Sequence, residues 1–344
     1  MQPFSFKVTC LITLLVTYNA SAISFSQDSR TLSPDAAPSE NFDLSYWNLS
    51  IPTDSDNNGR SDTIDEANLN RGFQHPDYFY TAPDGGMVFK VPIKGFKTSN
   101  NTSYTRSELR EMLRRGDTSI HTRDDSGRPN KNNWVFSSAP AEAQELAGAV
   151  DGVLEATLAV NHVTTTGRPK EMGRVIIGQI HAKDDEPIRL YYHKLPQHGR
   201  GIIYAAHEPL GKKDQYFDLI GGRRSTTPPR NAFALNEKFS YKIEAKGNKL
   251  RVTISDIGGT PRAQRIIDMS HSGYDQSNDS CTSKRGLTTK INPAGPMTTS
   301  KSRSTNYLPL TTAKNRRKNR CPGSRRLPLR IQNLCGLASL RFLL

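Results

Sequence analysis

The chain has 344 residues, 35% of them hydrophobic and 23% charged, which is enough apolar content for a packed core and excludes a disordered polyelectrolyte. Its net charge of +14 lies entirely in residues 281–344, which hold fourteen Lys and Arg and no acid, while residues 1–280 balance at 33 of each sign; the body is therefore excluded as a basic nucleic-acid surface. Of the cysteines, Cys10 is near the start and Cys281, Cys321 and Cys335 are in the basic tail, so residues 23–280 can build neither a disulfide framework nor a thiolate metal site.

Residues 1–22 read as a secretory signal peptide: Lys7, an apolar run from Val8 to Val16, then Ala20-Ser21-Ala22 before Ile23. The run is too short to span a bilayer, so an exported protein, secreted or periplasmic and without a membrane anchor, is expected. A polar linker follows over 23–40, and a single domain is assigned to 41–280. Phe42 to Pro52 alternates apolar residues through Trp47, Leu49 and Ile51 and reads as an opening strand. The acidic stretch Asp54 to Asp65 matches part of a calcium loop. Asp65 stands where a bidentate Glu is expected, however, and a solvated turn is the preferred reading, so no metal is assigned.

Period-two segments then predict strands at 87–91, 154–160, 174–181, 188–195, 202–206, 239–245 and 250–255, with helical pattern confined to short stretches such as 64–69. The segments 239–245 and 250–255 flank Lys246-Gly247-Asn248-Lys249 and form a hairpin candidate. Short strands separated by Gly, Pro, Asn and Asp clusters predict an all-β fold, an antiparallel two-sheet sandwich.

Two of these stretches carry chemistry. In Tyr104-Thr-Arg106-Ser-Glu108-Leu-Arg110 the alternation of a strand puts Arg106, Glu108 and Arg110 on one face, with Ser107 and Leu109 on the other. Two guanidiniums held by an intervening carboxylate suit a ligand with repeated carboxylates, because the planar fork of arginine binds a carboxylate bidentately. In Gln179-Ile180-His181 an amide donor and an imidazole share a face, a pair suited to proton abstraction beside a carboxylate. Tyr192 and Lys194 are candidate substrate-binding residues, with core or rim packing as the alternative; His193, His198 and His207 read as structural or surface residues. Each motif taken alone fits a solvated sheet face, and only their combination points to a site.

Together with Tyr46-Trp-Asn-Leu-Ser-Ile-Pro52, these motifs resemble the alginate lyases of polysaccharide lyase family seven, over about Phe42 to Asp279. The resemblance implies a concanavalin-like jelly roll and β-elimination of alginate, without an organic or metal cofactor. It implies that Arg106 and Gln179 neutralise the C5 carboxylate, that His181 is the base, and that Glu108 and Arg110 orient the arginine and bind substrate. Ile180 leans, by resemblance, toward acceptance of guluronate. The partners expected are alginate or a related acidic polysaccharide, with no nucleic acid and no membrane, for a monomer.

The family's last signature, Tyr-Phe-Lys-Ala-Gly-x-Tyr-Asn-Gln, carries its acid tyrosine and is absent from this chain. After Gly273-Tyr-Asp-Gln-Ser-Asn-Asp279 the sequence turns into Ser280-Cys-Thr-Ser-Lys-Arg-Gly-Leu-Thr-Thr-Lys-Ile-Asn292. Reading the third base of each codon with the first two of the next permits Tyr-Phe-Lys-Ala-Gly from Cys281 to Gly286, then Tyr-Asn-Gln from Leu287 onward. Residues from about Ser280 are accordingly expected to be a frameshift product, with 281–344 a disordered tail and the sandwich short of a central strand. The alternative is a genuine basic tail. A rival function is a non-catalytic binding sandwich for acidic polysaccharide, which would release no unsaturated uronate.

Overall fold

Alternation in the sequence becomes two stacked antiparallel sheets in a computed structural model, which describes residues 32–289 except 125, 169–170, 226 and 277–279, together with 305–312. In chain order the first strands are β1 (Trp47–Ile51), β2 (Asp62–Ile64), β3 (Phe79–Thr81), β4 (Met87–Pro92), β5 (Arg106–Glu111) and β6 (Trp134–Val135). Next come β7 (Ala149–Val150), β8 (Gly152–Ala159), β9 (Arg174–His181), β10 (Ile188–His193), β11 (Arg200–His207) and β12 (Gln215–Ile220). The last are β13 (Phe233–Ala234), β14 (Lys238–Lys246), β15 (Lys249–Ser255), β16 (Pro261–Asp268), β17 (Thr282–Thr289) and β18 (Thr305–Thr312). Helices are short: α1 (Pro38–Asn41), α2 (Glu66–Asn70) and α3 (Ala141–Leu146).

The larger sheet runs β12-β11-β10-β9-β17-β5-β1-β2, with β13 added on β11, and the smaller runs β16-β15-β14-β8-β18-β4-β3. Between them lies one core, in which Leu109, Ile177, Ile180, Leu190 and Ile203 meet Phe89, Leu158, Phe239, Tyr241 and Val252, all buried. Each such side chain contributes about 1.5–3 kcal/mol on leaving water. The hairpin of β14 and β15 forms as the sequence predicts, with Lys246 opposite Lys249 and Gly247 at φ +54°, a left-handed conformation that glycine adopts without steric cost.

One irregularity positions the site. Leu190 pairs with Gly178 while Tyr191 pairs with Ile176, so Ile177 is an extra residue and β9 carries a bulge. A side chain at 178 would collide with the Tyr241 hydroxyl, which donates to the Ile177 carbonyl at 3.1 Å. The bulge resets the alternation. Ile177 and Ile180 then face the core, while Gln179 and His181 face away from it.

The boundary expected at 280 does not hold. Thr282–Thr289 is the strand between β5 and β9, and Thr305–Thr312 lies between β4 and β8, so both sheets have central strands drawn from the supposed tail. No neighbour strand is left unpaired there, and the expectation of a missing central strand is corrected. The signal-peptide reading over 1–22, residues 23–31 of the linker, and residues 290–304 and 313–344 of the tail lie outside the described residues. The acidic stretch is a turn: Asp54 accepts from the backbone of Asn58 and Gly59, Asp62 from Thr53 and Ser55, and Asp65 caps α2 through the Asn68 amide.

Candidate active site

The outer face of the larger sheet gathers its charge where β5, β17 and β9 run side by side. On β5 the alternation holds: Leu109 enters the core, the Ser107 hydroxyl donates to the Tyr78 carbonyl at 2.8 Å, and Glu108 takes the opposite face, 4% exposed. Glu108 is the centre of the cluster. One of its oxygens lies 3.4 Å from Arg106 Nη1 and 3.3 Å from Lys284 Nζ, and the other accepts from Gln179 Nε2 at 2.6 Å. Residues from three strands thus converge on one carboxylate, because register sets Lys284 opposite both Arg110 and Gln179.

The net charge of this group is positive. Three cations, Arg106, Arg110 and Lys284, share the single carboxylate of Glu108, and a second hydrogen of the Gln179 amide remains to donate. Buried Nε groups of Arg106 and Arg110 have no hydrogen-bond partner among the described residues. Burial pulls Arg110 down to about 10, with the charges of Arg123 and Arg106 acting in the same direction and Glu108 opposing them, so it stays protonated at neutral pH. Burial likewise lowers Lys284 to about 8; Glu108 supports its charge while Arg106 and Arg110 oppose it. Such a face is suited to a developing anion.

His181 lies at the end of β9 beside these cations. Its Nδ1 is bonded to the Ala182 carbonyl, so that nitrogen carries the hydrogen and Nε2 presents a lone pair. Burial, then the positive charges of Lys284, Arg110 and Arg106, hold the imidazole well below its ordinary pKa. A neutral histidine with a bare Nε2, beside donors for a carboxylate, is what proton abstraction needs.

Arg106, Glu108, Arg110, Gln179 and His181 are therefore brought together as the sequence predicts. Tyr192 is not among them, and its assignment to substrate is corrected: it is fully buried, its hydroxyl donates to the Phe233 carbonyl at 3.0 Å, and its ring lies over Phe239. Adjacent residues of a strand point to opposite faces, so only one of Tyr191 and Tyr192 can reach the outer side. Tyr191 does so, stacked on Tyr204 at 4.9 Å. Lys194 follows the end of β10, with its ammonium at the Leu195 carbonyl, next to the Arg174 end of β9 rather than the His181 end. At about 3.3 Å per residue it stands some ~16 Å along the strand from Arg189, the partner of Gln179, and is not part of the cluster. His207 is structural, bonded to the Pro187 carbonyl and the Ser272 hydroxyl.

Two residues were missed from the sequence. Lys284 falls in the segment set aside as tail. Arg189 shares the outer face with Tyr191, opposite Gln179, and is held by Glu186 at 3.3 Å, Glu208 at 3.1 Å and Asp214. The β9–β10 pairing, both strands being predicted, was the signal that could have placed it.

Comparison with known proteins agrees with this geometry. A family model described as "Alginate lyase" matches residues 42–301. An alginate lyase of Klebsiella pneumoniae is 52% identical over 278 residues, covering 78% of this chain and 88% of the relative. A crystal structure of the alginate lyase from Klebsiella pneumoniae superimposes with a TM-score of 0.76 at 47% identity, covering 82% of this chain and 99% of that one. The family-7 alginate lyase A1-II′ shares the fold at 22% identity, with a TM-score of 0.56 over 83% of this chain and all of that one. On the family match and this identity, the chain belongs to the alginate lyases of polysaccharide lyase family seven.

Proposed function

We propose that this alginate lyase performs β-elimination with Arg106, Gln179 and Lys284 on the C5 carboxylate of a uronate residue and with His181 Nε2 as the base. Removing the C5 proton makes an enolate-like dianion, so positive charge and donors must already stand where that charge develops. The observation that carries this reading is the gathering of Arg106, Gln179 and Lys284 on Glu108, next to a neutral imidazole with a bare nitrogen. Arg110, one strand position beyond, supports a flanking carboxylate. Breakage of the bond to O4 then leaves an unsaturated uronate end. Binding of an acidic polysaccharide is in keeping with A1-II′, which has been solved with a product, GGG, and a substrate, GGMG.

The proton for the departing O4 is the unfilled role. The family's acid tyrosine is encoded in the shifted reading frame, and we extend the proposal to say that the sequence from about Ser280 is out of frame. Two features of β17 support this. Arg285 occupies a register position opposite Leu109 and Gly178, where Leu109 is a core residue and Gly178 has Tyr241 against it. The shifted frame supplies Ala and Gly there, and it supplies a lysine within one residue of Lys284, so that cation is kept in either frame. Resequencing the gene and weighing the intact protein decide the matter: the mass of this sequence overturns the frameshift.

Export completes the proposal. The Lys7, Val8–Val16 and Ala20-Ser21-Ala22 layout predicts a mature protein beginning at Ile23, released as a monomer, and among the described residues no helix is long and apolar enough to cross a membrane. N-terminal sequencing of the protein recovered from the medium or periplasm tests this; a retained Met1 contradicts it.

A further inference from the structure

His181 has a carboxylate neighbour, Glu186, besides the Glu108 cluster. We infer that Glu186 is a positioning residue that acts through His181, as the countercharge that stabilises the imidazolium formed when Nε2 takes a proton; this rests on the reading of His181 as the base. Glu186 lies in the short connection from β9 to β10, with one oxygen 3.9 Å from His181 Nε2 and the other 3.3 Å from Arg189 Nη1. Its backbone is anchored too, since its carbonyl accepts from the Glu208 amide at 3.1 Å. Glu186 is thus fixed at both ends of the residue and cannot swing away from the ring at no cost.

The charges around the pair define the role. His181 faces Arg106 and Arg110 from β5, with Glu108 between them, and Lys284 from β17. Every one of those cations opposes a positive charge on the ring. Glu186, approaching from the loop, favours it. Glu186 in turn is paired with Arg189 from β10, which also holds Glu208 after β11 and Asp214 before β12; it bonds Glu208, and its charge acts on Lys284 from β17 and on Tyr274. Glu208 is hydrogen-bonded to Glu186 and raised to about 7 by burial first and by that bond second, with Arg189 opposing, so of the two neighbouring carboxyls it is Glu208 that takes up a proton near neutrality.

The chemistry assigns the order of events. In the resting site the ring is neutral, with Nδ1–H on the Ala182 carbonyl. When the C5 proton moves to Nε2, the C–H electron pair stays on the sugar, the ring gains one positive charge, and the Glu186 carboxylate is the one carboxylate within 4 Å of it among the described residues. Losing that carboxylate lowers the basicity of Nε2. A neutral Glu186→Gln variant keeps the shape and removes the charge.

Two readouts test this on the full chain. In a titration of the His181 ring by nitrogen NMR, Glu186→Gln is predicted to move the midpoint to lower pH by about one unit, the size of effect a carboxylate at this range exerts. In alginate cleavage the same variant is predicted to lower kcat about tenfold with KM unchanged, and to move the acid limb of kcat/KM downward by the same unit; Glu186→Asp restores part of both. An unchanged midpoint, or a loss confined to KM, overturns the role of Glu186. His181→Asn separates the two ideas: if that variant keeps its kcat, the base assignment itself fails, whatever Glu186→Gln does. Thermal unfolding of each variant identifies a folding defect, and an NMR midpoint that stays put in a folded Glu186→Gln protein counts against the proposal even where activity is too low to measure.

Discussion

Glu108 shows how one side chain organises the site. It is 4% exposed and touches Arg106, Lys284 and Gln179, so Glu108→Ala leaves two cations and an amide around a buried gap. Breaking a buried pair by removing one partner costs about 3–5 kcal/mol, and urea unfolding is predicted to show a loss of that size. The pH profile follows from the same neighbourhood. His181 is neutral when folded, well below its ordinary 6.5, so it stays a base below neutrality and the acid limb of activity is predicted to lie under pH 6.5. The sign for stability is the same: below 6.5 the unfolded chain takes protons that His181 and His193 refuse in the folded state, so stability falls as pH drops through that range. Lys284, held at about 8, is predicted to set the alkaline limb, since its deprotonation removes a cation from the proposed carboxylate site. Lys284→Arg is predicted to move that limb upward by at least one pH unit, since even in this cluster a buried arginine such as Arg110 stays charged to about pH 10; an unmoved limb assigns it to another group.

At the scale of elements, legibility tracked burial. Arg174–His181 is predicted from the sequence with the bounds observed, because a central strand buried along its length is rich in apolar β-branched residues, here Val175, Ile176, Ile177 and Ile180. Gln215–Ile220 and Pro261–Asp268 were not seen, since both are edge strands whose residues are mostly exposed and need not alternate. Tyr192 was misassigned for a related reason: a pair of tyrosines has two registers, and only the pairing of β10 with β9 and β11 chooses between them. The strand Thr282–Thr289 was invisible because its sequence lacks the apolar alternation of its neighbours, although its place between β5 and β9 needs one. A chain ending at Ser280 would strip one of two partners from each of those strands and remove Lys284. It is predicted to aggregate or stay unfolded by size-exclusion chromatography and circular dichroism, and a folded monomer from that truncation contradicts the strand's structural role.

Across the whole molecule, the balanced body and the basic tail separate two questions that net charge alone merges. The body determines substrate class, through cations gathered at one place on an otherwise neutral sandwich. On the proposed reading the tail governs how well the chain turns over, because it occupies the strand on which the family's acid tyrosine is expected. A general acid contributes about 10²–10⁴-fold, so the chain with the shifted frame restored is predicted to cleave alginate faster than the chain as written by that factor. The most direct test of the central claim is the ultraviolet absorbance of unsaturated uronate released from alginate, measured for the protein and for its His181→Ala variant under identical conditions. The account predicts absorbance that rises with the protein and rises at least ~10²-fold more slowly with the variant, while both still bind the polymer. Equal rates from the two proteins, or shortening of the polymer without absorbance, would contradict it.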